Sequence, residues 1–210
     1  MDNNLTREAP ISTLFLDVGG VLLTNGWDRQ ARARAVTAFD LDAAEMEERH
    51  HLTFDTYEEG NLSLDEYLSR VIFYRDRPFT TAQFRAFMFD QSQAHPEMVD
   101  LVSRLKERHD LRVVVVSNEG RELNTHRVRT FDLSDLVDVF ISSCFVHIRK
   151  PDIDIFRLAL DISQADPDEV IYIENTPMFV QVAQGLGIRS ILHVDFETTR
   201  DTLAAVGLAE

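Results

Sequence analysis

The chain has 210 residues, enough for one domain with a sizeable insertion or for two small domains. It carries 21 Lys and Arg against 36 Asp and Glu, a formal charge of −15, which disfavours nucleic acid and anionic lipid as partners. Its one cysteine, Cys144, excludes an intramolecular disulfide, and no signal peptide or membrane-length apolar run is present, so we expect a cytoplasmic protein without a membrane partner.

The first predicted strand lies within residues 13–22 and carries Asp17 to its tip, just before Gly19 and Gly20. A strand with so few polar groups is typical of a parallel sheet covered by helices on both faces, whose ligands bind beyond the carboxyl ends of the strands. The glycines allow the backbone to turn and to approach a bound group closely. Asp17 is therefore a candidate nucleophile, although an Asp that opens a turn is the ordinary alternative.

Residues 25–92 contain no buried-strand pattern and instead predict a small helical cap domain. One of its helices is preceded by a capping box formed by Ser63 and Glu66. The insertion leaves the chain after Asp17 and returns before the second strand, so we expect the cap to lie over the strand tips and exclude water. The predicted cap helices cover residues 28–40, 43–58, 63–74 and 80–90.

The remaining residues, 1–24 and 93–210, predict an α/β core domain in which strands alternate with amphipathic helices. The further strands are predicted at 112–116, 137–141, 170–173 and 190–194, and the helices at 97–109, 121–131, 153–163, 177–186 and 197–206. This alternation predicts a Rossmann-like three-layer α/β/α fold with a parallel sheet and right-handed crossovers.

Polar residues follow the predicted strands at 112–116 and 137–141, the second and third strands of the chain. Ser117 and Asn118 offer a hydroxyl and backbone N–H groups at a helix N-terminus, which suits a phosphate as well as simple helix capping. After the third strand, Lys150 precedes a proline, and its ammonium could pair with a carboxylate and stabilise a negatively charged transferring group. Arg149 and His147 compete for that position, and the sequence does not decide among the three.

The fourth strand ends in Glu174 followed by Asn175, which places a second carboxylate at the same edge of the sheet as Asp17. Two carboxylates supply the hard oxygen ligands that Mg²⁺ prefers, together with water and a substrate phosphate. A glutamate that caps the next helix is the alternative. The coincidence of acid, hydroxyl, ammonium and acid at successive strand ends favours a catalytic site.

With these residues identified, the chain resembles the haloacid dehalogenase-like hydrolase superfamily over nearly its whole length. The family motif Asp-x-Asp-Gly-Val/Thr, at the end of an apolar strand, is similar to the segment that begins at Asp17. The three later motifs, a strand ending in Ser or Thr, Lys-Pro-x-x-x-x-Phe, and a strand ending in two acids, are similar to residues 116–118, 150–156 and 172–175.

The resemblance implies a phosphatase mechanism on a small phosphorylated metabolite. Asp17 would attack phosphorus to form an aspartyl-phosphate that water then hydrolyses. Asp17, the backbone carbonyl of Gly19 and Glu174 would bind Mg²⁺, with Asn175 in the outer shell. Catalysis would also depend on Lys150, which with Ser117 and the backbone of Asn118 would hold the phosphoryl oxygens. Such a protein is expected to be a monomer or a homodimer.

Three residues depart from the family pattern. Gly19 stands where family phosphatases carry a second Asp that protonates the leaving group, a group typically worth ~10²–10⁴ in rate. Asn175 replaces an acid, and Phe179 stands where many relatives carry Asn or Asp. These changes leave open a weak or inactive ligand-binding relative. A metal-independent 2-haloacid dehalogenase is the other alternative, because that class also uses the first-strand Asp as nucleophile and often carries Ser-Asn in the second motif. Glu174 argues against the dehalogenase, because its carboxylate would repel the carboxylate of the substrate.

Overall fold

The computed structural model describes residues 10–210, which contain a five-stranded parallel sheet. Its strands are β1 (Thr13–Leu16), β2 (Arg112–Ser117), β3 (Val139–Ser142), β4 (Val170–Glu174) and β5 (Arg189–Leu192). The strand order is β3-β2-β1-β4-β5, and every neighbouring pair is parallel. β1 is therefore central, as its buried residues require.

Helices cover both faces of this sheet, and four of them form the insertion between β1 and β2. The helices are α1 (Arg29–Phe39), α2 (Ala43–Glu58), α3 (Leu64–Val71), α4 (Thr81–Asp90), α5 (Pro96–His109), α6 (Arg121–Thr130), α7 (Leu133–Leu136), α8 (Ser143–Val146), α9 (Ile153–Ser163), α10 (Pro177–Gln184) and α11 (Phe196–Ala205), with a 3-10 turn at Pro167–Glu169. Across residues 10–210 none of these helices has the length and apolar character needed to cross a membrane.

Successive residues of the strands pack against opposite layers of helices. Leu14 and Leu16 of β1 belong to a hydrophobic cluster with α5 and α11, whereas Phe15 belongs to a second cluster with α9 and α10. Side chains alternate along a strand, so a strand without polar residues needs cover on both sides. The α/β Rossmann-like architecture predicted from the sequence is confirmed.

Several boundaries differ from the predicted ones for local reasons. β1 ends at Leu16, one residue before Asp17, which the sequence places at the strand tip, and Gly20 turns the chain beyond it with a φ of 74°. β3 begins two residues later than predicted, because Val137 caps α7. The short helices α7 and α8 were not among the predicted elements.

The helices α1–α4, which form the predicted cap, share a hydrophobic cluster that includes Trp27, Tyr67 and Phe84 and extends to Leu123 of α6. The predicted capping box of Ser63 and Glu66 is present at the start of α3. The two connections to the core run side by side, since the backbone N–H of Thr24 donates to the carbonyl of Gln93 over 2.8 Å. The inserted helices therefore leave and re-enter the core at one point, next to the C-terminal end of β1.

Candidate active site

A cavity of about 250 Å³ lies where the C-terminal ends of β1, β2 and β4 meet the cap helices. The core contributes Asp17, Ser117 and Lys150 to its walls, and the cap contributes Trp27 and Tyr57. Residues distant in the sequence meet here because the carboxyl ends of parallel strands share one edge of the sheet.

Lys150 lies between the two carboxylates that the sequence places at strand ends. Its Nζ is 3.1 Å from Oδ1 of Asp17 and 2.6 Å from Oε2 of Glu174. Lys150 is 1% exposed and Glu174 is fully buried, whereas Asp17 is 8% exposed and lines the cavity. One ammonium group thus holds both carboxylates in a single cluster.

The two carboxylates keep the Lys150 side chain positively charged. Burial alone would lower the pKa of Lys150, but the carboxylates of Asp17 and Glu174 outweigh it and raise the pKa above its ordinary value. Lys150 therefore stays protonated at neutral pH. A fixed positive charge next to Asp17 suits the binding of an anion whose charge grows during a reaction.

Asn118 positions the backbone of Lys150. Its side-chain amide accepts a hydrogen bond from the Lys150 N–H over 2.8 Å and donates to the Lys150 carbonyl over 2.9 Å. This reciprocal pair links the end of β2 to the loop after β3. Its role in orienting Lys150 was missed from the sequence, where only the backbone of Asn118 was assigned a function.

The structure also separates Lys150 from the two basic residues that competed with it. The guanidinium of Arg149 binds the Glu58 carboxylate of the cap, with Nη2 2.6 Å from Oε2. Nδ1 of His147 lies 2.7 Å from the backbone carbonyl of Glu59. Both residues therefore attach the core to the end of α2. Of the three, Lys150 alone contacts the carboxylates of Asp17 and Glu174.

A buried ion pair between Glu119 and Arg127 forms the wall next to Gly19. Arg127 also donates to the backbone carbonyl of Thr24, directly beyond the turn that follows β1. A Cβ built on Gly19 would lie 3.9 Å from Nη2 of Arg127, so this guanidinium borders the space that a side chain at position 19 would enter. The sequence did not indicate this role of Arg127, because an arginine in a polar helix is usually exposed at the surface.

The cap side of the cavity is anchored by a hydrogen-bonded aromatic group. Nε1 of Trp27 donates to the hydroxyl of Tyr67 over 2.9 Å, and that hydroxyl lies 2.7 Å from Nδ1 of His50. Burial, reinforced by the charge of Arg32, lowers the pKa of His50 to about 3. His50 is therefore neutral, and one of its ring nitrogens, Nδ1, shares a hydrogen bond with the Tyr67 hydroxyl.

The family of the chain follows from comparison with known proteins. A family model described as haloacid dehalogenase-like hydrolase matches residues 11–187. The chain belongs to the haloacid dehalogenase-like hydrolases. The motifs at Asp17, Ser117, Lys150 and Glu174 all lie within the matched segment.

Individual relatives of this haloacid dehalogenase-like hydrolase are distant. Bifunctional epoxide hydrolase 2 of Sus scrofa is 35% identical over 69 residues, which are 33% of this chain and only 12% of the pig protein. A HAD family enzyme of Bacteroides thetaiotaomicron, solved with magnesium and inorganic phosphate, has a TM-score of 0.72 and 24% identity over 87% of this chain and 93% of that one. An L-2-haloacid dehalogenase has a TM-score of 0.65 and 16% identity over 88% and 86%. These two structures support the fold.

Of the residues expected to surround the metal, Asp17 and Gly19 line the cavity. Glu174 does not line the cavity: Oε2 binds Lys150 and the Tyr172 hydroxyl, and Oε1 accepts from the backbone N–H of Thr176 over 2.8 Å. Asn175, expected in the outer shell, does line the cavity. The assignment of Glu174 as a metal ligand stays a prediction.

The oxygen groups around the cavity fit a weakly held Mg²⁺. Asp17 and Gly19 line it together with the side-chain amides of Asn25 and Asn175, which are 3.2 Å apart between Oδ1 and Nδ2. Within residues 10–210 no group of three His, Cys, Asp or Glu side chains is arranged to hold a metal ion. Because Mg²⁺ is often bound by one carboxylate plus water and substrate phosphate, this donor set suits an ion that binds together with a phosphorylated ligand.

Proposed function

We propose that this hydrolase is a Mg²⁺-dependent phosphomonoesterase that acts on a small phosphorylated metabolite through Asp17. The observation that carries the proposal is the position of Lys150, whose buried ammonium lies 3.1 Å from Asp17 and faces the same cavity as Ser117 and Asn118. A nucleophile beside a fixed positive charge and hydrogen-bond donors is the arrangement that phosphoryl transfer requires.

Each residue has a defined part in the proposed reaction. A carboxylate oxygen of Asp17 attacks phosphorus and forms an aspartyl-phosphate, while the alcohol leaves with a proton from water or a nearby acid. Lys150, the Ser117 hydroxyl and the Asn118 N–H hold the phosphoryl oxygens as their charge develops. Water then hydrolyses the aspartyl-phosphate, which releases phosphate and restores Asp17.

Asp17, the carbonyl of Gly19 and either Asn175 or Glu174 would hold Mg²⁺, which reduces repulsion between the nucleophile and the phosphate when it is bound. The lost carboxylate at position 175 predicts that the metal binds weakly without a phosphorylated ligand. The small volume of the cavity, about 250 Å³, favours a substrate with a short organic part.

A 2-haloacid dehalogenase is the second candidate, and one observation favours it. Glu174 is fully buried and paired with Lys150, so its charge does not face the cavity. The ion pair with Lys150 therefore reduces the repulsion that argued against a carboxylate substrate. An L-2-haloacid dehalogenase is also among the structures similar to this one.

One set of assays separates these functions. Phosphate release should be measured from p-nitrophenyl phosphate, acetyl phosphate and small alkyl phosphates, with Mg²⁺ and with EDTA. Asp17→Asn should abolish release, whereas Asp42→Asn, a matched change at the cap of α2, should leave it unchanged because Asn also caps a helix. We expect the fastest turnover with aryl and acyl phosphates, whose leaving groups need no acid.

The alternatives give different results in the same assays. Chloride release from 2-chloropropionate that persists in EDTA and requires Asp17 would establish the dehalogenase. If neither phosphate nor halide release depends on Asp17, the proposed hydrolytic function is wrong and the chain is a ligand-binding relative.

A further inference from the structure

Two buried tyrosines of the cap pack face to face but differ in their hydrogen bonds. The rings of Tyr57 and Tyr67 are stacked, with centroids 4.8 Å apart. The Tyr67 hydroxyl bonds to Trp27 and His50. The Tyr57 hydroxyl is buried, yet it has no hydrogen-bond partner within residues 10–210, and Tyr57 lines the cavity.

The ring of Tyr57 is held in place by the start of α6. A Cβ at Gly120 would overlap the Tyr57 ring and its hydroxyl, so only glycine allows the ring to lie across this point of the backbone. Tyr57 is 1% exposed, and the stacked Tyr67 ring confines its other face. The hydroxyl therefore cannot turn to bulk water without moving the cap.

An unpaired buried hydroxyl lowers stability, and buried polar groups in native proteins are almost always satisfied. We infer that the Tyr57 hydroxyl donates a hydrogen bond to a neutral oxygen, a hydroxyl or carbonyl, on the organic part of the substrate. This inference rests on the proposed phosphomonoesterase function and makes Tyr57 a specificity-determining residue for it.

The surroundings of Tyr57 indicate why the acceptor is neutral. Burial, together with the nearby carboxyl groups of Glu122 and Glu119, raises the pKa of Tyr57 well above its ordinary value, so the hydroxyl keeps its proton and donates. Glu119 is paired with Arg127, but the carboxyl group of Glu122 would repel a carboxylate on the substrate. Oε2 of Glu122 is itself buried without a hydrogen-bond partner within residues 10–210.

The position of Tyr57 also limits the length of the substrate. Its hydroxyl lies against Gly120, two residues beyond Asn118 in the loop proposed to bind the phosphoryl group. An acceptor oxygen a few bonds from phosphorus therefore fits this spacing. A two-carbon phosphorylated alcohol with a terminal hydroxyl is one molecule of this kind.

Binding of three non-hydrolysable phosphonates tests the inference without depending on turnover. Ethylphosphonate, 2-hydroxyethylphosphonate and phosphonoacetate have the same two-carbon chain and end in a methyl, a hydroxyl and a carboxylate. Titration calorimetry in the presence of Mg²⁺ should show that the wild-type protein binds the hydroxyethyl compound about tenfold more tightly than the ethyl compound, as one hydrogen bond predicts. In Tyr57→Phe this ratio should fall to about one. Phosphonoacetate should bind no more tightly than ethylphosphonate to either protein.

A stability comparison supplies the matched control. Tyr57→Phe removes an unpaired hydroxyl, so its melting temperature should equal or exceed that of the wild type. Tyr67→Phe removes a hydroxyl with two partners and should melt at a lower temperature. Equal destabilisation by the two variants would show that the Tyr57 hydroxyl has a partner within the protein, which would overturn the inference.

The other outcomes are equally distinct. An unchanged binding ratio in Tyr57→Phe, or an equal loss of affinity for all three phosphonates, would show that the Tyr57 hydroxyl does not bind the organic part of the substrate. If either occurs while phosphate release still requires Asp17, only the role of Tyr57 is wrong. If no phosphonate binds and no phosphate ester is hydrolysed, the proposed function itself is wrong and the inference fails with it.

Discussion

The ion pair between Lys150 and Glu174 makes a quantitative prediction about stability. Lys150→Met removes the ammonium but keeps most of the side-chain volume. Glu174 would then remain fully buried, with the Tyr172 hydroxyl and the Thr176 N–H as its partners. Asp17, which lines the cavity, can instead be hydrated. The uncompensated charge is therefore concentrated on Glu174.

Removing one member of a buried ion pair typically costs about 3–5 kcal/mol, because the other charge is left without compensation. We expect a loss in this range for Lys150→Met, since Nζ and Oε2 are 2.6 Å apart and both residues are at most 1% exposed. Glu174→Gln in addition removes the second charge. The double variant should therefore be more stable than the sum of the two single changes predicts, by about 2 kcal/mol.

Urea unfolding followed by circular dichroism measures these differences without reference to activity. With an m-value of about 2–3 kcal/mol per molar, Lys150→Met should lower the midpoint by about 1–2.5 M while m stays constant. Lys106→Met is a matched control, because its partner Asp138 is exposed and surface pairs contribute about 0–1 kcal/mol. Strict additivity of the two core changes would refute the reasoning.

Three further predictions concern single residues. His50 has a pKa of about 3 in the folded protein and ~6.5 when unfolded, so its stabilising effect is complete above pH 6.5 and declines below it. Between pH 7 and pH 5 the wild type should lose about 2 kcal/mol more unfolding free energy than His50→Asn in urea titrations, and equal losses would contradict this. Gly20→Ala should lower the melting temperature by several degrees, because φ is 74° and a Cβ would overlap the Asn175 amide. A melting temperature equal to that of the wild type would show that alanine is not strained at this position. Gly19→Asp should fold normally, since its φ lies outside the left-handed region and its Cβ meets no atom closer than 3.4 Å. It should also speed hydrolysis of alkyl phosphates by about 10²-fold, the lower end of what a positioned acid contributes, and unchanged steady-state rates would exclude position 19 as a site for that acid.

The sequence was sufficient for the core fold because its strands are apolar on both faces. A run such as Val113 to Val116 is stable only between two helical layers, so the alternation of strands and helices predicts the three-layer sheet. The strand tips that carry Asp17, Ser117 and Glu174 could be predicted for the same reason, since parallel strands end at one edge. Short elements such as α8 could not, because four residues show no periodicity.

The direction of each side chain was decided by tertiary structure. In the sequence Arg149 and Lys150 are adjacent cations, yet one binds the cap and the other is buried between two carboxylates. Glu174 and Asn175 are likewise neighbours, and only Asn175 lines the cavity.

By itself, the sequence determined the sheet, the inserted helices and the set of polar groups at the strand ends, because these depend on local periodicity and on burial of apolar side chains. Only the tertiary structure decided that Lys150 joins Asp17 to Glu174, that Arg127 borders the space beside Gly19, and that Tyr57, whose buried hydroxyl is unpaired, lines the cavity. These features depend on which groups from distant segments meet, and hydrogen bonds and ion pairs act over a few ångströms that no spacing along the chain encodes.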